Sequence, residues 1–320
     1  MNLRLPVLKT LAFFEIFNQP LTLLELERFL NTLEKIRVND LRFGIEHLVE
    51  IDFARGFFFL RDNFSRDISS RVRASLVDKR ICRNIWQERK MLIARRAARL
   101  LSWIPFTRLV AICNTLGFGV AEETSDIDFF VIVKKGRVWS SRFFCVLTLT
   151  LFGLYRRGKR IKDKICLSFF VDEENLNLER VALDKEQDIY LIYWAANLVP
   201  LIDREDTLLK FWRANDWIKK NLANFDFENW QLDSRKIKEN LAASWLLRIL
   251  EFFGGGILGN WMEKILKAIQ LLKMRGNNIN QQIENGSAVI VRDTMLKFHK
   301  ADRREEYRRC WLARLKEFGI

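Results

Sequence analysis

The segment Thr124-Ser125-Asp126-Ile127-Asp128-Phe129-Phe130-Val131 sets two carboxylates one residue apart at the opening of an apolar run that ends at Lys134-Lys135-Gly136. In a strand, successive side chains project to opposite faces. Asp126 and Asp128 therefore share one face, while Ile127 and Phe129 turn toward a core. Two adjacent carboxylates repel unless a cation lies between them. Oxygen ligands suit Mg²⁺, which uses one or two carboxylates together with substrate phosphates and water. A cation held there can bridge the phosphates of a nucleoside triphosphate and stabilise charge on both attacking and leaving oxygens. The bland alternative is a pair of solvated carboxylates at a strand entrance, because Asp-x-Asp alone is common.

The neighbouring segments give the pair a context. Thr107 to Cys113 is a short, β-branched, apolar run suited to a buried strand, and Asn114-Thr115-Leu116-Gly117-Phe118-Gly119 follows it. After the strand over 127–133, Val138 to Tyr155 reads as a helix, Arg156 to Lys164 as a basic connection and Ile165 to Val171 as a third strand. Strand, loop, strand, helix, strand makes an α/β unit.

Between Thr107 and Val133 the sequence resembles the polymerase-β-type nucleotidyltransferase superfamily. In that family a glycine-serine pair starts a short helix after the first strand and holds the triphosphate, and a Ser-Asp-hydrophobic-Asp motif about ten residues later binds the metals. The resemblance implies an α/β nucleotidyltransferase core with a small mixed sheet. It assigns Asp126 and Asp128 as catalytic, Mg²⁺-binding carboxylates and Asn114, Thr115, Gly119 and Ser125 as nucleotide-binding residues. Asn114 stands where the family usually has glycine and Thr115 where it has serine. Threonine keeps a hydroxyl for phosphate, and asparagine is the non-glycine residue that best tolerates a left-handed backbone. Gly117 and Gly119 either let the backbone approach phosphate or relieve packing. The family also carries a third carboxylate on a later strand, as general base. The mid-strand positions here are Cys166 and Ser168, so Asp172, at the strand end beside Glu173 and Glu174, is the candidate.

Residues 1–62 read as three helices and a hairpin, the order of a winged helix. Asn18-Gln19-Pro20 ends the first helix, Thr22 and Glu25 make a capping box for the second, Asn39 caps the third, and Arg55-Gly56 turns the hairpin. With eight basic and nine acidic residues over this stretch the net charge is −1, poor for a DNA reader. Residues 63–180 form the core with its leading basic helices, and 181–320 a mainly helical C-terminal region. The helices expected there are Lys185 to Val199, Asp206 to Leu222, Ile237 to Phe253 and Leu258 to Met274. Gly254-Gly255-Gly256 forces a tight turn or close helix contact between the last two. From Ala288 onward a strand-like run precedes a basic helix to Leu315.

At 320 residues and 49% hydrophobic, with 10 Trp and 26 Phe, the chain is folded and large enough for two or three units. Five scattered cysteines without a CxxC pair fit reduced thiols in a cytoplasmic protein. The formal charge of +14 favours polyanionic partners. Twelve basic residues against three acidic ones between Asn63 and Cys113 are either a solvated helix face or a phosphate-facing wall. Lys134, Lys135, Arg137 and Arg142 either neutralise phosphates or solubilise. Phe143 to Tyr155 is too short to span a bilayer, so no membrane partner is expected. His299, in the polar tail from Lys297 to Arg304, has no metal-ligand spacing around it, and His47 lies in another unit.

The expected function is a Mg²⁺-dependent nucleotidyltransferase. It would move a nucleoside monophosphate from a triphosphate such as ATP to a hydroxyl on a small molecule, RNA or protein. Two other readings remain open: a catalytically degenerate nucleotide-binding regulator, and a DNA-binding regulator acting through the winged helix.

Overall fold

A computed structural model describes residues 3–61, 70–158, 160–183, 188–228, 235–238, 241–275, 289–298 and 302–320. His299 lies outside them.

The chain opens with α1 (Arg4–Glu15), α2 (Leu23–Arg28) and α3 (Val38–Ile45), then a two-stranded antiparallel hairpin of β1 (Ile51–Ala54) and β2 (Phe57–Leu60). Thr22 and Glu25 form the capping box at α2, each side chain accepting from the other residue's backbone. The hairpin turns through Arg55 at φ 51° and Gly56 at φ 90°, the left-handed pair a tight two-residue turn needs. At α3 the expected cap fails. Asn39 lies inside the helix, and Arg37 precedes it without a side-chain cap bond, pairing instead with Asp40 at 3.1 Å.

The long basic helix α4 (Ser70–Leu101) leads into β3 (Thr107–Ile112), the short α5 (Asn114–Gly117), β4 (Ile127–Val133), α6 (Val138–Leu151) and β5 (Ile165–Asp172). Then follow α7 (Ile189–Ala196), β6 (Val199–Asp203), α8 (Thr207–Ala214), α9 (Leu241–Gly254), α10 (Ile257–Arg275), β7 (Val289–Val291), β8 (Met295–Phe298) and α11 (Arg304–Glu317). One six-stranded mixed sheet, in the order β6-β3-β4-β5-β8-β7, organises this part. Only β4 and β5 run parallel, joined across α6; the other neighbours are antiparallel.

The described residues after 181 are mostly helical, and they also supply three of the six strands. Expecting helix from Lys185 to Val199 overruns a boundary. Val199 begins β6, and Asn197 ends α7 by accepting no further turn. An uninterrupted apolar run does not reveal its period. Pro200 is tolerated because β6 is an edge strand, where a missing N–H costs no ladder bond.

Alternation along the central strands makes two cores. Leu109, Ala111, Phe130, Ile132, Phe169 and Val171 face α1, α7, α8 and α11. Val110, Ile112, Ile127, Phe129, Val131 and Phe170 face α4 and α6. The first core is continuous with that of the N-terminal helices, where Phe13 stacks on Tyr193 at 4.3 Å between ring centroids.

Much of the basic charge of α4 is spent on protein partners. Arg80 pairs with Glu25 at 2.6 Å, Arg83 donates to the carbonyls of Phe17 and Asn18, and Arg89 and Lys90 pair with Asp163. These cations strap the N-terminal unit and the core together, which neither of the two readings of the basic run anticipates.

Candidate functional site

The parallel crossover decides where the site lies. A chain that leaves the far end of β4, passes through α6 and enters β5 parallel must return to the end where β4 began. Residues just before β5 therefore meet residues just before β4. Ile127 N donates to Lys164 O at 2.9 Å, Asp163 N to Ser125 O at 3.3 Å, and Cys166 sits in register with Asp128. From β3, Cys113 N donates to Asp128 O at 3.1 Å, which brings α5 beside the pair.

The ligand atoms of Asp126, Asp128 and Cys166 all lie within 4.8 Å of one another. Asp128 is buried, and burial together with the charge of Asp126 raises its carboxyl to about 7, against opposing hydrogen bonds from Asn114 and Cys166 and the charge of Arg156. Asp126 is better solvated, and its carboxylate is paired with the Arg156 guanidinium, which also reaches Cys166 Sγ at 3.9 Å. Burial and the two carboxylates push the Cys166 thiol up to about 12. So placed, the thiol favours its protonated form in the free protein.

Asn114 occupies φ 52°, the left-handed conformation that a glycine would adopt freely. Trp194 Nε1 donates to its Oδ1 at 2.9 Å and Tyr190 Oη at 3.4 Å, so the amide nitrogen is the group left to serve Asp128. Thr115, on α5, is half-buried, and its carbonyl accepts from Val120 N at 2.8 Å. Ser125 Oγ closes a turn, donating to Glu122 O at 2.9 Å and accepting from Glu122 N at 3.2 Å.

The two glycines have packing reasons. A Cβ on Gly117 would meet Asn197 O at 2.9 Å; Gly119, at φ +76°, would meet the Arg80 guanidinium at 3.0 Å. Lys90 is wholly buried beneath this end and donates to Glu123 O, Ser125 O and Asp163 Oδ1 at 3.2, 2.7 and 2.9 Å.

A cleft of about 1090 Å³ opens from Asp128, Cys166 and Ser168 between α6, α10 and the segment 155–158. Arg142, Arg156, Arg157 and Lys273 line it, and Asp128 is the one carboxylate among its described lining residues. Ser168 Oγ is buried at its floor with no hydrogen-bond partner among the described residues. A second cavity, of about 720 Å³, lies in the N-terminal unit and shares no residue with the first.

No family model, curated protein or solved structure matches this chain.

Asp172 is not brought to the pair. It stands in register with Val133, five residues along β4 from Asp128, which at about 3.3 Å per residue is roughly 16 Å away. Its buried carboxylate accepts from Asn175 Nδ2 at 2.7 Å and Glu174 N at 3.2 Å, closing the turn after β5. Lys135 and Arg137 are also engaged elsewhere: Lys135 pairs with Glu174 at 2.8 Å, and buried Arg137 donates to Gly255 O at 3.0 Å. Arg142 does line the cleft, and His47 is exposed, bonded to Phe43 O at 3.0 Å. Arg156, Trp194, Tyr190 and Lys90 are the site's unforeseen members. Arg156 was accessible to sequence reasoning, since a cation in the connection before β5 must come back to the carboxylate end of β4.

Proposed function

We propose that the chain is a Mg²⁺-dependent nucleotidyltransferase whose metal carboxylates are Asp126 and Asp128. The observation that carries this reading is the convergence of two carboxylates, Asp126 and a buried Asp128 with a raised pKa, where Asp128 opens onto a cleft that Arg142, Arg156, Arg157 and Lys273 help to line. Perturbed titration in a cleft is a mark of functional sites.

The donor set fits a hard divalent ion through its two carboxylates. Cys166, soft and protonated, adds no hard ligand. Mg²⁺ bound there would neutralise phosphate charge and favour in-line displacement at the α-phosphorus. The chain's own residues divide the remaining work. Arg156 neutralises Asp126 in the free protein and, with Arg142, Arg157 and Lys273, offers charge to a polyphosphate. Asn114 orients Asp128, and Trp194 holds Asn114.

A second reading has its own observation. Facing Asp128 across β5 is Cys166, followed on the same strand by Ser168, so the described residues bring no third acid to act as base. That favours a protein that binds nucleotide and metal without transferring the nucleotidyl group.

Calorimetry with ATP, GTP, CTP and UTP, with and without Mg²⁺, tests both. The expected result is Mg²⁺-dependent binding that the Asp126→Asn, Asp128→Asn double variant loses. Pyrophosphate release on adding candidate acceptors then favours the transferase, and tight binding without release the degenerate protein. A folded wild type that binds no nucleotide sinks both.

A further inference from the structure

Helices α9 and α10 are joined only by Gly255 and Gly256, and a Cβ on Gly259 would lie 1.7 Å from Gly254 O, so glycine alone permits the close turn. One side of this hairpin is fixed to the body. Glu251 accepts from Arg108 at 2.9 and 2.8 Å and from Phe106 N, Glu263 accepts from the amides of Trp139 and Ser140, and Gln270 bonds Trp139 O and Arg142. Leu247, Leu266 and Met274 are buried on that side.

The other side exposes a cluster of large apolar side chains. Around the turn, Trp245 is 70% exposed, Phe252 79%, Phe253 68%, Ile257 90%, Leu258 70% and Trp261 63%, and no described element packs over them. Glu251 and Glu263 are the only acids between Leu241 and Arg275, and both point inward. Arg248 and Lys264 are exposed on the same helices, three residues from Trp245 and Trp261. The outward face is thus apolar at its tip, flanked by Arg248 and Lys264, and free of carboxylates.

We propose that this hairpin is a membrane-docking element that lays its tip into the interface of an anionic bilayer. Burying so many large apolar side chains at a headgroup boundary recovers the stabilisation they lack in water. Tryptophan is at home there because its ring is apolar and its N–H polar. Anionic headgroups supply the counter-charge for Arg248 and Lys264. A protein partner or second copy of this chain would cover apolar surface equally well but gives no reason for a face stripped of acids. Docking is distinct from crossing: no helix among the described residues is long and apolar enough to span a membrane. The inference is independent of what the carboxylate pair does.

The test is co-sedimentation of the full chain with phosphatidylglycerol–phosphatidylcholine vesicles and with pure phosphatidylcholine vesicles, with tryptophan emission followed in parallel. Binding is expected to the anionic vesicles with a blue shift, weakening as salt rises. Phe252→Ser with Phe253→Ser should reduce partitioning about tenfold or more. Arg248→Gln with Lys264→Gln, which leaves the apolar tip and its packing intact, should reduce it about fivefold per charge. No binding to anionic vesicles by folded wild type overturns the proposal. So does a dimer in light scattering that the Phe252→Ser, Phe253→Ser variant abolishes while vesicle binding is absent, since a second copy would then cover the face.

Discussion

The two ends of the β4–β5 pair hold the same kind of residue under opposite conditions. At the far end, Asp172 is buried but satisfied, with an amide and a side-chain donor on one oxygen. At the near end, the Arg156 guanidinium pairs with Asp126, and buried Asp128 beside it is held toward its protonated form. An acid that closes a turn has its donors supplied by the fold; an acid buried beside another carboxylate is held toward its protonated form. The difference separates a structural carboxylate from a candidate functional one better than sequence position does.

The comparison breaks most severely if the near end loses its support. Lys90 holds the carbonyls of Glu123 and Ser125 and the carboxylate of Asp163, and so fixes the strand that carries Asp126. Lys90→Met removes the buried cation from Asp163, leaving it Arg89 and the nearby charge of Lys162, and takes the Lys90 donor from the carbonyls of Glu123 and Ser125, so urea denaturation should show a loss of about 3 kcal/mol or more. Mg²⁺ affinity should fall with it. A midpoint within experimental error of wild type would show that Lys90 does not hold this end.

The next effect sharpens the comparison through pH. An acid whose folded-state pKa is raised is favoured protonated, so the folded state takes up more protons than the unfolded one between the ordinary carboxylate value of 3.8 and about 7. Stability from this group is complete at the acid end of that window and is lost as pH rises through about 7. Asp128→Asn removes the buried charge. Without metal at pH 8 it should therefore be more stable than wild type, on the order of 2–4 kcal/mol, with the gap closing toward pH 5. Mg²⁺ must displace the proton, so metal-induced stabilisation of wild type should grow from pH 6 to 8 and be absent in the variant. Equal melting temperatures for the two proteins at pH 8 would remove the claim that Asp128 is strained.

How far the sequence led follows from which signals are local. The span of β4, the capping box at Thr22 and Glu25, and the Arg55-Gly56 turn are each set within a few residues, and all were legible. The left-handed tolerance of Asn114 was legible too, from residue type alone. The strand-like run from Ala288 was legible and corresponds to β7, but β6 was harder, because an apolar run such as Leu198 to Ile202 becomes a strand only when β3 offers an edge to pair with. Asp172 was sought beside the pair, but chain proximity to a strand end does not say which end of β4 that residue will meet. Parallel pairing of β4 with β5 fixes that, and it puts Cys166 where a third acid was sought. The charge of α4 misled in the opposite direction: its partners, Glu25 and Asp163, are far away in sequence.

The smallest effect concerns Asp172 itself. Asp172→Ala leaves the amide of Glu174 and the side chain of Asn175 without their acceptor at a part-buried turn, a loss of about 1–2 kcal/mol. The turn lies beyond the end of β4 opposite the pair, so Mg²⁺-dependent nucleotide binding measured by calorimetry should match wild type once both proteins are folded. Compared with the Asp126→Asn, Asp128→Asn double variant, which should retain its fold and lose binding, this gives opposite losses from chemically similar changes on one sheet. Loss of nucleotide affinity in Asp172→Ala without loss of stability would mean that the two ends are coupled, and that the carboxylate at the turn belongs to the site after all.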